Sequence, residues 1–232
     1  MIGREIDLVA TLFERIFLMF MHGEKITHIK SACFCDYAHY LVRKRNIEGA
    51  IKYYNRSLNC HSNSYAHGGL AASFVATNNF RDALEACNKA ISIKPSGRLY
   101  LLQNVIYSNL GELLLADKAF EASVKLFNSS LSDAYDRLAY TYWFFDMHET
   151  AEKYSKEAIK IKPNDASYHT HLAAIYAAKK EYQKAKQEFA EVLELATDRK
   201  YKAFAKKEIV KIEKRLKTVP TKNEGDIFDQ VD

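Results

Sequence analysis

Proline and glycine are scarce, at 3 and 8 of 232 residues, so the chain holds little low-complexity or loop-built sequence. Cysteine is scarce too. Cys33, Cys35, Cys60 and Cys87 fall mainly on expected helix faces of a long chain without a credible signal peptide. That usage favours a reduced, cytoplasmic setting over a disulfide scaffold. The N-terminal segment Arg4 to Met21 ends in an apolar run, Ile16 to Met21, preceded by Arg4, Glu5, Asp7, Glu14 and Arg15, and its uninterrupted part is too short to span a bilayer, so no transmembrane segment is expected.

Catalytic signatures are missing as well. There is no glycine-rich phosphate loop, no nucleophile elbow and no H-E-x-x-H, and the carboxylates are scattered rather than paired. The chain is read as a non-enzyme with no cofactor and no small-molecule substrate. Cys35 and His39, one helical turn apart with Cys33 nearby, offer a metal only two ligands on one face. Cys33 and Cys35 are read instead as small packing residues. His169 and His171 point to different helix faces, one into packing and one toward a groove. No metal site is expected.

What is present is a period. The triplets Ala50/Tyr54/Ser57, Ala83/Cys87/Ala90, Ala116/Phe120/Ser123, Ala151/Ser155/Ala158 and Ala185/Phe189/Val192 follow one another at steps of 33, 33, 35 and 34 residues. Such a period belongs to a stacked helix-pair array rather than to a single-core globule. A second signature lies upstream of the alanines. It reads Leu70-Ala71-x-x-Phe74, Leu138-Ala139-x-x-Tyr142 and Leu172-Ala173-x-x-Tyr176, with weaker copies at Tyr37-Ala38-x-x-Leu41 and Gln103-Asn104-x-x-Tyr107. Pro95 and Pro163 follow Ile-Ser-Ile-Lys and Ile-Lys-Ile-Lys, where a ring without an N–H stops a helix.

In these residues, from about Ser31 to Thr197, the chain resembles the tetratricopeptide repeat family. The resemblance implies an all-α, right-handed α-solenoid of antiparallel helix pairs. The expected organisation is an N-terminal extra helix over 1–27 and five repeats over 28–197, at about 31–63, 64–96, 97–131, 132–165 and 166–197. A basic capping helix over 198–217 and a disordered acidic tail over 218–232 complete it. The family's glycine at the helix crossing is alanine in four repeats and the larger Asn104 in the third, which is expected to pack less tightly. Its closing proline is replaced by Ser62, Asn128 and Thr197 in the remaining repeats, whose helix ends then rest on cap chemistry.

Function in such an array usually lies on the row presented by the first helix of each pair. Helical spacing places on that row Cys35, His39 and Val42; Tyr65, Gly68, Ala72 and Val75; Arg98, Leu101, Val105 and Ser108; Asp133, Asp136, Tyr140 and Trp143; and Thr170, Ala174 and Ala177. The expected partner-binding set within it is His39, Tyr65, Ala72, Arg98, Leu101, Val105, Asp133, Asp136, Tyr140, Trp143, Thr170 and Ala174. Tyr140 and the single tryptophan, Trp143, with Phe144 beside them, are the expected aromatic anchors. Gly68, Ala72, Ala174 and Ala177 leave room for a peptide or helix, and Asp133 and Asp136 near Arg98 supply polar selectivity at the rim. The lysine and asparagine set with which related domains hold acidic C-termini is missing: Cys35 and His39 stand in its first places and Gly69 in the next.

The ends add two alternatives. Ile16 to Met21 is apolar on every side and must be covered, as a cap, a partner surface or a membrane-surface contact. Residues 198–217 carry nine basic against three acidic residues, and Tyr201, Phe204, Ala205, Ile209, Ile212 and Leu216 recur at helical spacing. The segment after Lys217 carries Glu224, Asp226, Asp229 and Asp232 around Ile227 and Phe228. The main reading is a protein-binding adaptor, co-chaperone or scaffold taking a peptide or helix of another protein. The first alternative is a self-assembling scaffold, a homo-oligomer in which the apolar helix or the tail docks in another copy's groove. The second is a nucleic-acid-associated protein acting through Lys200 to Lys217; no base-stacking motif accompanies that charge, so nucleic acid is not the expected partner.

Overall fold

The computed structural model describes residues 24–127 and 130–218. Among them stand eleven helices: α1 (Glu24–Arg43), α2 (Ile47–Cys60), α3 (Ser64–Ala76), α4 (Phe80–Ile93), α5 (Gly97–Leu110), α6 (Leu113–Phe127), α7 (Leu131–Phe144), α8 (His148–Ile161), α9 (Ala166–Ala178), α10 (Tyr182–Leu195) and α11 (Arg199–Thr218). The first ten form five consecutive antiparallel pairs, the all-α repeat architecture read from the sequence. The chain divides after Phe127 into two compact units, the first ending with α6 and the second holding α7 to α11. The Ile16–Met21 segment and the acidic tail lie outside the described residues. The first helix begins at Glu24, inside the segment expected to precede the repeats.

Each pair is closed by the same seam. Ala50, Ala83, Ala116, Ala151 and Ala185 on the second helices are 0–3% exposed, and Ala38, Ala71, Ala139 and Ala173 on the first helices are fully buried. Residues this small let two backbones approach, and the larger Tyr54, Cys87 and Phe189 then fill the space one turn on. The expected loosening at Asn104 does not occur. Its side chain is buried and donates from Nδ2 to the Ala116 carbonyl oxygen at 2.8 Å, so the bulkier residue spans the crossing and satisfies its own polarity. At Gly69 the approach is closer still: a Cβ there would lie 2.3 Å from the buried Tyr54 ring.

The turn inside each pair is also a repeated object. Arg45, Asn78, Gly111, Asp146 and Lys180, each five residues before its pair's seam alanine, all have positive φ, between 58° and 81°. The residue after each donates its N–H to a carbonyl five positions back, Asn46 to Leu41, Asn79 to Phe74, Glu112 to Tyr107, Met147 to Tyr142 and Glu181 to Tyr176, at 2.9–3.0 Å. This is a Schellman end, in which a left-handed residue turns the chain and pairs the last carbonyls. Between pairs, Asn63, Ser96, Ser130 and Asp165 cap the following helices by accepting from backbone N–H groups. Lys94 and Lys162, held out of the helical region ahead of Pro95 and Pro163, end α4 and α8.

The terminal helix α11 covers the last pair. Ala205 and Ile212 join Leu172, Tyr176, Phe189 and Val192 in one core cluster, with Ile209 and Leu216 packed at its edge. Phe204 meets Phe189 edge-on at 6.0 Å between centroids but stays 46% exposed, as does much of Tyr201, so the expected stripe is narrower than its spacing suggested. Inside the second unit Glu152 accepts from Lys156 at 2.6 Å and from Lys179 at 2.5 Å, joining α8 to the end of α9. Burial opposes its ionisation, but the two ammonium groups prevail and hold its carboxyl down at about 2.

Because a left-handed conformation costs a residue with a Cβ about 1 kcal/mol, the five equivalent turns allow a matched test. Gly111 has open space around its Cα, so Gly111→Ala is expected to lose about 1 kcal/mol from backbone strain alone. Lys180→Gly is expected to gain up to about 1 kcal/mol, less the added freedom of the unfolded chain. Urea denaturation of the two variants beside the parent checks both signs.

Candidate functional site

In the first unit the row is carried by α1, α3 and α5. His39 and Tyr65 face each other with ring centroids 6.3 Å apart, and Tyr65 is 55% exposed. Partial burial, then the negative charge of Asp36, raises the Tyr65 phenol above its ordinary value. Ala72 is half-buried and Arg98 exposed. Leu101 and Val105 do not belong to an open surface: at 3% and 0% exposure they are core, as are Cys35 and Val75. The room expected at Gly68 is already used, since a Cβ there would meet Leu99 Cδ2 of α5 at 3.0 Å. The small residues of α3 thus accommodate the neighbouring repeat, and the branched residues of α5 go inward.

Cys35 is held in a buried polar knot with Ser57 (3.0 Å), which bonds Ser31 at 2.8 Å. Desolvation raises its thiol pKa, as it does for Cys87, pushed up to about 12. Cys35 is therefore a packing residue; Cys33, expected to pack with it, is exposed. Among the described residues no three His, Cys, Asp or Glu side chains gather as metal ligands.

The second unit brings its residues together more closely. Tyr140 and Trp143 lie on α7 with ring centroids 5.5 Å apart, and across from them α9 supplies His171, Ala174 and Ile175; these five line one narrow slot. Tyr140 is 50% exposed and its ring lies 6.2 Å from that of His171. Thr170 turns its hydroxyl onto the Ala166 carbonyl of its own helix at 2.8 Å. Phe144 is half exposed and packs edge-on against Phe145.

The acidic pair serves a different purpose from the one expected of it. Asp136 is nearly buried and pairs through Oδ1 with His171 Nδ1 at 2.7 Å. Asp133 accepts from Ser130 and from the Tyr168 hydroxyl and stands 3.6 Å from Lys162 Nζ. Those hydrogen bonds lower its carboxyl pKa and help raise the Tyr168 phenol, already raised by burial, to about 12. Both carboxylates are thus engaged by partners inside their own unit. His169, by contrast, is the packing histidine expected, with Glu188 and the Pro163 carbonyl each 2.8 Å from a ring nitrogen.

Sequence reasoning missed His171 as a partner of Asp136, because the two are 35 residues apart; one repeat length is the signal that links them. It also missed an open cleft of about 770 Å³ between the α8–α9 and α10–α11 loops, lined by residues 162–167, 195–198 and Tyr201. Its two carboxylates, Asp165 and Asp198, are engaged in capping α9 and α11.

The family model for the tetratricopeptide repeat matches residues 132–165 and 166–199, both within the second unit. Residues 132–199 thus carry two tetratricopeptide repeats. Its similarity to the mitochondrial import receptor subunit TOM70 of Saccharomyces cerevisiae, found in two strains, is 29% identity over 99 residues, 43% of this chain. The chain spans about 16% of the length of these relatives. A thermophilic tetratricopeptide-repeat protein of Thermus thermophilus shares the fold at a TM-score of 0.50 and 16% identity, over 78% of this chain and 99% of that one. Pseudomonas aeruginosa PilF gives a TM-score of 0.49 at 16% identity, over 84% and 93%. The repeats of this family are generally protein-interaction modules rather than catalysts, and no helix among the described residues is long and apolar enough to cross a membrane.

His171 gives the slot a pH dependence. Its hydrogen bond to Asp136, opposed by burial and aided by the charges of Asp136 and Asp165, raises its imidazole above the ordinary value near 6.5. A group whose folded value is raised contributes stability that is fully present below its unfolded value and is lost as pH rises through the folded one. Urea denaturation is therefore expected to show a loss of stability from pH 6 to pH 8 that Asp136→Asn removes. In the same variant, the His171 Hε1 resonance should titrate at lower pH.

Proposed function

We propose that the chain is a non-enzymatic adaptor, cytoplasmic in setting, whose second unit holds a peptide or helix of a partner protein against the Tyr140–Trp143–His171–Ala174 face. The observation that carries this reading is the slot. Two aromatic side chains stand partly exposed over a floor made of Ala174, Ile175 and a histidine fixed by a nearly buried carboxylate. Aromatic anchors beside a shallow apolar depression are the arrangement that concentrates binding energy at protein interfaces. The slot itself holds only about 20 Å³, so an extended or helical segment would lie across the aromatic faces and set no more than a side-chain tip into it. The likeness to an import receptor subunit supports this class of role, and the missing lysine and asparagine set argues against a clamp for acidic C-termini, leaving co-chaperone work to some other mode of contact.

The test is a parallel affinity capture from native extract with Tyr140→Ala/Trp143→Ala beside the parent, both shown folded by circular dichroism. Anchors of this kind are worth about 2 kcal/mol or more each, so a genuine groove client should fall at least tenfold in recovery with the variant. An identical set of captured proteins from both would refute the groove reading.

Self-assembly is favoured by a separate observation. Leu113 and Leu114 at the start of α6 are 66% and 69% exposed, and Leu115 is 37% exposed. Adjacent apolar side chains left in solvent mark a contact surface. The homo-oligomer reading expects the mass seen by light scattering to rise with concentration and to stay at one chain in Leu113→Glu/Leu114→Glu; a parent that stays monomeric throughout contradicts it.

A further inference from the structure

The face of α11 that turns away from the last pair is basic and carries an exposed apolar side chain. At 100° per residue, Lys200, Ala203, Lys207, Val210, Lys214 and Lys217 fall opposite the buried Ala205 and Ile212, and all six are exposed. The carboxylates of the same helix are spent elsewhere: Glu208 pairs with Lys211 at 2.5 Å and Glu213 reaches Lys186 of α10 at 2.7 Å. Lys200, Lys207 and Lys214 make no ion pair among the described residues, and they surround Val210, which is 51% exposed. A solvated capping face needs charge, but it does not need a bare valine at the centre of it.

The sequence just past α11 has the complementary chemistry. Residues 224–232, Glu-Gly-Asp-Ile-Phe-Asp-Gln-Val-Asp, carry four carboxylates, no base and three apolar side chains. Five residues, 219–223, separate Thr218 from Glu224, enough chain to reverse direction. Nine extended residues reach about 30 Å, and a helix of 20 residues is about 30 Å long, so the segment matches the face in length as well as in charge.

We propose that residues 224–232 dock back along the outer face of α11, with Glu224, Asp226 and Asp232, which share one face of an extended chain, toward Lys217, Lys214, Lys207 and Lys200, and Phe228 of that same face on Val210. Tethering sets an effective concentration in the millimolar range, so even a weak contact is populated. The segment then acts as a built-in competitor on this basic face. An acidic protein segment or a nucleic acid gains that surface only by displacing it.

Zero-length carbodiimide crosslinking of the full chain, as an equal mixture of ordinary and ¹⁵N-labelled protein read by mass spectrometry, tests this. The expected result is crosslinks from Asp226 and Asp232 to the α11 lysines within single copies, in equal yield from 1 to 50 µM protein. The yield should fall at least threefold in 0.5 M salt, where the screening length shrinks to about 4 Å. In Lys207→Glu/Lys214→Glu, two exposed changes that circular dichroism should show to leave the fold intact, the remaining crosslinks to Lys200 and Lys217 should be lost. Tail crosslinks that join only different copies, that reach other surfaces instead, or that ignore salt would each overturn the proposal.

Discussion

Close approach of paired helices is the constraint on which the rest of this protein depends. A side chain larger than alanine at the crossing would push two backbones apart unless it replaced the lost contact with one of its own. Four pairs meet the constraint by alanine on both helices, and the third meets it with Asn104, whose amide reaches across to the Ala116 carbonyl. Once the crossing distance is fixed, the chain has few ways to travel from one helix to the next, and the same left-handed turn appears in all five pairs. The turn is a consequence of the seam: glycine, asparagine and aspartate adopt it readily at Gly111, Asn78 and Asp146, while Arg45 and Lys180 adopt it under the pull of packing.

That hierarchy explains what was legible in the sequence and what was not. The seam alanines could be read because burial demands the same small residue at each repeat. The turns could not, since Arg45 and Lys180 carry no sign of positive φ and only their distance of five residues before a seam alanine identifies them. The exposed row was read with mixed success. Spacing from Arg98 led to Leu101 and Val105 because helical geometry says which residues share a face; it does not say whether a neighbouring element covers it. Val105 stands in the same register as Ala72, Tyr140 and Ala174, yet it is fully buried while Tyr140 is half exposed. Position within a repeat thus fixes direction, and the chemistry of the neighbouring repeat decides exposure.

The same reasoning shows why the second unit has the stronger candidate site. Its row carries the Asp136–His171 pair, which crosses from α7 to α9 one repeat later and so ties neighbouring first helices together beneath the aromatic residues. A buried carboxylate is tolerable there because the histidine supplies a partner. The pair ties α9 to α7 beside the Tyr140–Trp143 aromatic contact. In the first unit Leu99 already fills the space beside Gly68, and His39 meets Tyr65 between α1 and α3. Small residues are common to both units; what separates them is whether a neighbour uses the space they leave.

Termination of the array follows from the seam rule as well. α11 repeats the first-helix pattern, burying Ala205 completely and Ile212 nearly so against α9 and α10, but no second helix follows to cover its other side among the described residues. A face in that position must satisfy water, and lysine does so at little cost in helix propensity. Lysine alone would end the array. Val210, left among the lysines, lowers the solvation of that face without adding to the core. Apolar residues retained where packing gives no reward are best accounted for by a contact made outside the packed repeats, and the acidic, apolar sequence that follows within a few residues has the charge and the length to make it.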